Sequence, residues 1–220
     1  MSDTPIDVFI DLPYSPGPVQ AGRLWSHFRK GRESASFEYN REWLANPYRF
    51  ALEPLLPLAD GTFHTTPGQS VFGAIGDSTP DRWGRILMRR AELVRARAAN
   101  ESPRTLSELD YLLRVNDEAR QGALRFSQDG GQSFCAPPGA TPIPPLVNLS
   151  RLLHAADHFC RDDENAEDLR LLLAPGSSLG GARPKASVKD KKGNLCIAKF
   201  PRHDDEYNVV AWEAVALTLA

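Results

Sequence analysis

The amino-acid sequence predicts an α+β fold, in which a small curled β-sheet with helices precedes two further helices, a glycine-rich loop, a β-hairpin and a last helix. Three observations indicate this fold. Short runs of alternating apolar and polar residues near the start are typical of strands joined by turns. Apolar residues at helical spacing follow them. Small residues from Gly176 to Lys185 then precede two apolar runs, which a turn containing Gly193 separates.

The composition is that of an ordinary soluble protein. The chain has 220 residues, 41% of them hydrophobic, and a net charge of −2, so it can bury a core and form one or two domains. Because it has no apolar run of membrane-spanning length and no signal-peptide pattern, we expect a cytoplasmic protein without membrane association. Three widely spaced cysteines argue against a disulfide framework or a CxxC metal site. We interpret Cys135, Cys160 and Cys196 as reduced and mostly structural.

The first third of the chain predicts a sheet. Residues 7–12 and 22–28 alternate as half-buried strands on either side of a turn rich in Pro and Gly, and residues 36–39 are a third strand candidate. Trp43 and Leu44 lie on a short helix or turn that ends at Pro47. These short strands indicate a small curled sheet.

A helical pattern begins near residue 80. Ser78 or Thr79 is the expected N-cap, with Pro80 in the first turn, and Trp83 starts the apolar spacing. Six arginines lie on or beside this helix: Arg82, Arg85, Arg89, Arg90, Arg95 and Arg97. Such a cluster could meet DNA phosphates, but we favour a solvated helix face, because acidic residues balance the chain and no aromatic residues interleave with the later arginines.

A capping box and a proline-rich segment define the boundary between two predicted domains. Thr105, with Glu108 three residues later, is expected to cap a helix whose Leu109, Leu112 and Leu113 face inward. Residues 122–126 are expected to form a strand. Prolines from 137 to 145 mark a linker. We therefore predict one domain at residues 1–135, a linker at 136–147 and a second domain at 148–220.

The second domain is expected to open with two helices. The apolar stripe of the first consists of Leu149, Leu152, Leu153, Ala156 and Phe159. Acidic residues 162–164 end it, and a second helix is expected over residues 167–173. His154 and His158 stand one helical turn apart and could bind a metal ion in principle, but a solvated helix face is the better interpretation because no further ligand is placed nearby.

Lys199 on the hairpin and Glu213 on the last helix are candidate functional residues. Lys199 lies on the second strand of the hairpin, and Asp204 or Asp205 is expected near the start of the helix that carries Glu213. A glutamate among apolar helix neighbours is costly unless it is paired, and Lys199 is the nearest basic candidate. A glycine loop, a strand lysine and a helix glutamate, in that order, form the upper half of a protein-kinase nucleotide site. The alternative is a surface lysine, a solvated glutamate and an ordinary glycine linker.

These motifs resemble the HipA family of serine/threonine kinase toxins from bacterial toxin–antitoxin modules. In the second domain the resemblance rests on residues 176–185, residues 197–201 (Ile-Ala-Lys-Phe-Pro) and Trp212-Glu213. Upstream, several segments are similar to the family's amino-terminal subdomain: residues 37–39 with 43–44, 56–58, 81–85 (Asp-Arg-Trp-Gly-Arg) and 122–126. The resemblance covers nearly the whole chain, and the second domain is then the start of a kinase-like N-lobe.

The resemblance implies a nucleotide site. The phosphate loop would consist of Gly180, Gly181, Ala182, Arg183, Pro184 and Lys185. Lys199 would contact the phosphates, and Glu213 would hold Lys199 in place. Ser178 falls where the family carries a serine that the kinase phosphorylates on itself, and phosphate at that position would repel the nucleotide and switch the kinase off.

The resemblance also implies cofactors and partners. In the complete protein the cofactors would be ATP and Mg²⁺, and the substrate a protein, by family analogy an aminoacyl-tRNA synthetase. The neutralising partner would be a HipB-like antitoxin, through which DNA is contacted only indirectly.

Two features depart from a complete family member. Some other members have an acidic residue just before the loop lysine, where this chain has Pro184, which lacks an N–H donor, preceded by Arg183. A kinase also needs an aspartate that orients the attacking hydroxyl and Asp or Asn side chains that hold Mg²⁺, and no residue after Glu213 supplies them. We therefore expect an incomplete kinase with no catalytic or metal-binding residue, inactive alone, that binds nucleotide weakly or not at all.

Two functional hypotheses remain open. The first is the amino-terminal portion of a HipA-type kinase that, when complete, transfers phosphate from ATP to a protein. The second is a non-catalytic module that binds an antitoxin or a separate kinase lobe.

Overall fold

The computed structural model describes residues 5–136, 142–176 and 180–220 and has the mixed α+β fold that the sequence predicts. Its strands are β1 (Ile6–Ile10), β2 (Val19–Arg29), β3 (Arg32–Tyr39), β4 (Thr62–His64), β5 (Leu124–Ser127), β6 (Lys185–Lys189) and β7 (Leu195–Lys199). Its helices are α1 (Arg41–Ala45), α2 (Gly73–Gly76), α3 (Arg82–Ala98), α4 (Glu108–Leu113), α5 (Leu149–Cys160), α6 (Ala166–Gly176) and α7 (Val209–Leu219).

The chain divides into two compact units. The first comprises Met1–Thr79 and Leu106–Ala136, and the second comprises Pro80–Thr105 and Pro137–Ala220. One division falls after Ala136, at the start of the predicted linker, of which residues 137–141 lie outside the described residues. The placement of residues 80–105 differs from the prediction, because Trp83 and Leu87 of α3 pack into the core of the second unit. Helix α3 therefore supports the predicted site rather than the amino-terminal sheet.

The first unit is built on an antiparallel sheet with the strand order β4-β3-β2-β1-β5. Strands β2 and β3 are longer than predicted and pair from Gly22 opposite Tyr39 to Arg29 opposite Arg32. Glycine is required at position 22, because a Cβ there would lie 2.2 Å from the carbonyl oxygen of Glu38. The sheet's buried face packs on a core with these fully buried members: Ile6, Val8, Ile10, Phe37, Trp43, Leu112 and Phe126.

The second unit packs α3, α5 and α6 around one apolar cluster. Its buried members include Trp83, Leu87, Leu152, Ala156, Phe159 and Leu172. Strand β6 lies against this cluster through Ala186 and Val188, and β7 pairs with β6 as the predicted hairpin. In α5 the buried stripe includes Ala155, whereas Leu149 and Leu153, which were predicted to be part of it, are exposed.

Four predicted helix ends are wrong. Helix α3 is capped by Asp81 rather than Ser78 or Thr79, since the Asp81 carboxylate accepts from the N–H of Arg82 at 2.7 Å. The capping box of α4 is formed by Ser107 with Asp110 rather than Thr105 with Glu108, because aspartate can take the reciprocal position.

The other two ends belong to α6 and α7. Helix α6 continues to Gly176, past the predicted stop at residue 173, and Pro175 lies inside it. Helix α7 begins at Val209 with Asn208 as its cap. Asp204 and Asp205 do not start it, because their carboxylates are bound to Arg202 and Arg183.

Among the described residues no helix is both long enough and apolar enough to cross a membrane.

Candidate functional site

The hairpin places Lys185 and Lys199 side by side. Lys185 begins β6, Lys199 ends β7, and the two are directly opposite each other in the strand register. Directly opposite residues project from the same face of an antiparallel pair, so two ammonium groups share one face at the open end of the hairpin. The pKa of Lys185 is lowered, first by partial burial and then by the charge of Lys199.

Helix α7 provides the partner of Lys199. The Lys199 ammonium donates a hydrogen bond to Glu213 Oε1, so the predicted pairing is present. The pair lies near solvent, because Leu195 and Ile197 of β7 are half exposed and the Lys199 and Glu213 side chains are 42% and 35% exposed. An ion pair in this setting contributes about 0–1 kcal/mol, so it positions the lysine more than it stabilises the fold.

The glycine loop between α6 and β6 is attached to the first turn of α3. The Gly181 N–H donates to Asp81 Oδ2 at 2.6 Å. Trp83 then uses two donors: its backbone N–H reaches the Gly181 carbonyl at 2.9 Å and its indole N–H reaches the Lys185 carbonyl at 2.8 Å. Asp81 and Trp83, both at the start of α3, therefore hold the described loop at Gly181 and at Lys185.

Within the loop, Lys185 folds back over the backbone. Its ammonium donates to the carbonyl of Gly180, and Gly181 has a φ of +76°, a conformation that favours glycine. A Cβ at position 181 would also lie 2.9 Å from the Lys185 nitrogen. Gly181 thus keeps open the space in front of the ammonium group.

Arg183 is held by an acidic side chain. Its guanidinium forms a two-pronged ion pair with Asp205, one arm at 3.1 Å, and both side chains are mostly buried. Asp205 also accepts from the N–H of Arg202 at 2.9 Å. Arg183 therefore fastens the loop to the segment before α7, and a phosphate would have to compete with Asp205 for it.

Charges in the site are balanced, with one acidic group near each of three cations. Asp81 lies near Lys185, Asp205 binds Arg183, and Glu213 binds Lys199. The pKa of Asp81 is lowered chiefly by the hydrogen bond from the Gly181 N–H and next by that from the Arg82 N–H.

The structure brings most of the sequence-predicted site residues together. Residues 180–184 form one loop that leads into Lys185 at the start of β6, and Lys199 and Glu213 lie on the hairpin and helix that follow it. Gly176, the predicted start of the loop, is instead the last residue of α6. Ser178 lies outside the described residues.

Sequence reasoning missed Asp81 and Trp83 as members of the site. It assigned the segment at residues 81–85 to the amino-terminal subdomain. An aspartate directly before a helical pattern is an N-cap signal, which could have identified the helix start. It could not have identified Gly181, which is 100 residues away along the chain.

The other candidate groups lie elsewhere in the second unit or along α3. His154 and His158 have ring centres 6.4 Å apart, and His158 Nδ1 is 3.0 Å from Asp168 Oδ2. Arg90 is paired with Asp162 and Glu164. Arg95 likewise binds Glu92 and Glu101. Both arginines therefore form ion pairs within the second unit.

No protein-family model matches the chain, and no curated protein matches it closely enough to count as a homologue.

Proposed function

We propose that this chain carries the nucleotide-phosphate-binding part of a HipA-type serine/threonine protein kinase. The single observation that carries the proposal is the ion pair between Lys199 on β7 and Glu213 on α7, next to a glycine loop. In protein kinases a strand lysine contacts the nucleotide phosphates while a helix glutamate holds it. Lys185 on the same hairpin face adds a second cation.

The residues of the chain have distinct roles in this proposal. Lys199 and Lys185 attract the phosphate oxygens, Glu213 keeps Lys199 extended, and the backbone of Gly180 and Gly181 lets the phosphates approach closely. ATP supplies the phosphoryl group. We assign no residue of this chain to Mg²⁺.

The same proposal extends to partners. A HipA-type kinase acts in the cytoplasm on a protein, by resemblance an aminoacyl-tRNA synthetase, and a HipB-like antitoxin that contacts DNA neutralises it.

A second candidate function is a binding module that pairs with another polypeptide. It is favoured by the apolar surface of β7 and α7, where Trp212 is 64% exposed and Leu217 is 75% exposed. Ile197, Val215 and Leu219 are exposed on the same two elements. Exposed apolar patches commonly mark interaction surfaces, and this function requires no nucleotide.

Calorimetric titration with ATP and Mg²⁺ separates the two functions. We expect the wild-type chain to bind ATP weakly, with a dissociation constant above the micromolar range. The affinity should fall by about tenfold or more in Lys199→Ala, because the strand lysine contacts phosphate. Lys192→Ala is the matched control, since Lys192 is an exposed lysine in the hairpin turn. Equal affinity in the wild type and both variants contradicts the kinase proposal, and an absence of binding in all three favours the binding module.

A further inference from the structure

The first turn of α3 clasps the glycine loop. Asp81 accepts from the Gly181 N–H, Trp83 N–H donates to the Gly181 carbonyl, and the Trp83 indole donates to the Lys185 carbonyl. These three hydrogen bonds join residues about a hundred positions apart in sequence. The contact is therefore a specific tertiary one, and it falls on the loop that the proposed function places against the nucleotide phosphates.

Asp81 has the surroundings that a bound phosphate oxygen would have. Its carboxylate accepts from two backbone N–H groups, Gly181 at 2.6 Å and Arg82 at 2.7 Å. It lies at the amino-terminal end of the 17-residue helix α3, where the helix dipole favours negative charge. The ammonium of Lys185 is close enough to influence it. An N–H group, a helix end and an ammonium are together the donors that hold phosphate in proteins.

We propose that Asp81 is an acidic latch on the phosphate loop. Its carboxylate holds the loop closed by taking the Gly181 N–H, and an anionic ligand binds only as that carboxylate leaves. This inference rests on the proposed function, since it concerns access to the same loop. It assigns the Asp-Arg-Trp-Gly-Arg segment at residues 81–85 to control of the site.

The latch can open at modest cost because it is close to solvent. Asp81 is exposed and Gly181 is also exposed, so water can replace the hydrogen bond when the carboxylate swings away. A ligand that needs the open loop binds with an apparent dissociation constant raised by the inverse of the open fraction. The negative charge of Asp81 also repels phosphate directly.

Two substitutions release the latch in different ways. Asp81→Asn keeps an N-cap acceptor but removes the charge, and Asp81→Gly removes the side chain, each with little cost to the helix. Asp190→Asn is the control, since it makes the same charge change on a partly exposed carboxylate that also accepts backbone N–H bonds, in the turn at the other end of the hairpin. The probe is tripolyphosphate, with amide hydrogen exchange of the Gly181 N–H as a second readout.

We expect both Asp81 variants to bind tripolyphosphate about fivefold to tenfold more tightly than the wild type, and the Asp190 variant to match the wild type. Gly181 should exchange faster in Asp81→Gly without any ligand. Unchanged affinity in both Asp81 variants, with binding still dependent on Lys199, overturns the latch and leaves the nucleotide site standing. Unchanged exchange in Asp81→Gly also overturns it. An absence of binding in every variant contradicts both proposals.

Discussion

Individual residues show which contacts sequence order can predict. The pairing of Lys199 with Glu213 was predictable because strand alternation and helix position place one cation and one carboxylate 14 residues apart. The contact between Asp81 and Gly181 was not, because it depends on how α3 packs in the second unit. Arg183 was assigned to the phosphate loop, yet its guanidinium is bound by Asp205. Residue type indicated the chemistry of the site, whereas the pairing of each charge depended on the fold.

Arg120 provides the strongest single-residue prediction in the first unit. Its side chain is fully buried and donates to the carbonyls of Ser78, Leu112 and Val115 at 3.0 to 3.1 Å. Burial lowers its pKa to about 10, so it stays charged at neutral pH. Arg120→Lys keeps the positive charge, but the lysine ammonium lacks the planar fork with which the guanidinium reaches all three carbonyls.

We expect Arg120→Lys to reduce the free energy of unfolding of the first unit by about 3–5 kcal/mol, measured by urea denaturation. Arg23→Lys is the matched control, because Arg23 is mostly exposed beside Asp7, and it should change the free energy of unfolding by less than about 1 kcal/mol. Similar small losses in both variants would show that the three carbonyl contacts of Arg120 do not stabilise the unit.

At the scale of elements, the sequence predicted which helices and strands exist better than it predicted where the helices begin and end. The β6–β7 hairpin is present where alternation and the glycine turn predicted it, and so are α3, α5 and the strands β1, β2, β3 and β5, whereas β4 was not predicted. The ends of α3, α4, α6 and α7 were misplaced. At the starts of α3, α4 and α7 several Ser, Thr, Asp and Asn residues could act as the cap, whereas α6 runs past its predicted stop to Gly176. Tertiary partners decided among them, as Arg183 did by binding Asp205.

The contact between α5 and α6 gives a pH prediction. His158 on α5 is hydrogen-bonded to Asp168 on α6, which raises the pKa of His158, and the charges of Asp163 and Asp157 add to the effect. The pKa is higher in the folded state than in the unfolded chain. The protonated imidazole therefore stabilises the fold below about pH 6, and this contribution fades as the pH rises through the folded-state pKa of His158.

We expect the free energy of unfolding to fall between about pH 5 and about pH 8 by more in the wild type than in His158→Gln, which cannot be protonated. Chemical denaturation at both pH values measures the difference. His154→Gln is the control, since His154 lies one turn away on α5 and is exposed. A pH dependence that is the same in all three proteins would contradict the role of His158.

At the scale of the whole molecule, the domain division shows where local pattern is insufficient. The division after Ala136 falls at the start of the proline-rich stretch, whereas the sequence has no comparable signal at residues 79 and 106. Helix α3 joins the second unit through Trp83 and Leu87, which contact α6, and amphipathic spacing alone does not specify which core an apolar face will join. The α+β class was predictable, and the assembly of the site around α3 was not.

Lysine footprinting tests the central claim most directly, namely that the hairpin lysines beside the glycine loop hold nucleotide phosphates. The chain is acetylated with and without saturating ATP, and the modification rate of each lysine is followed by mass spectrometry. We expect Lys185 and Lys199 to react more slowly with ATP present, since phosphate covers both ammonium groups, while Lys191 and Lys192 in the exposed turn react at unchanged rates. Equal rates at Lys199 with and without ATP would contradict the claim.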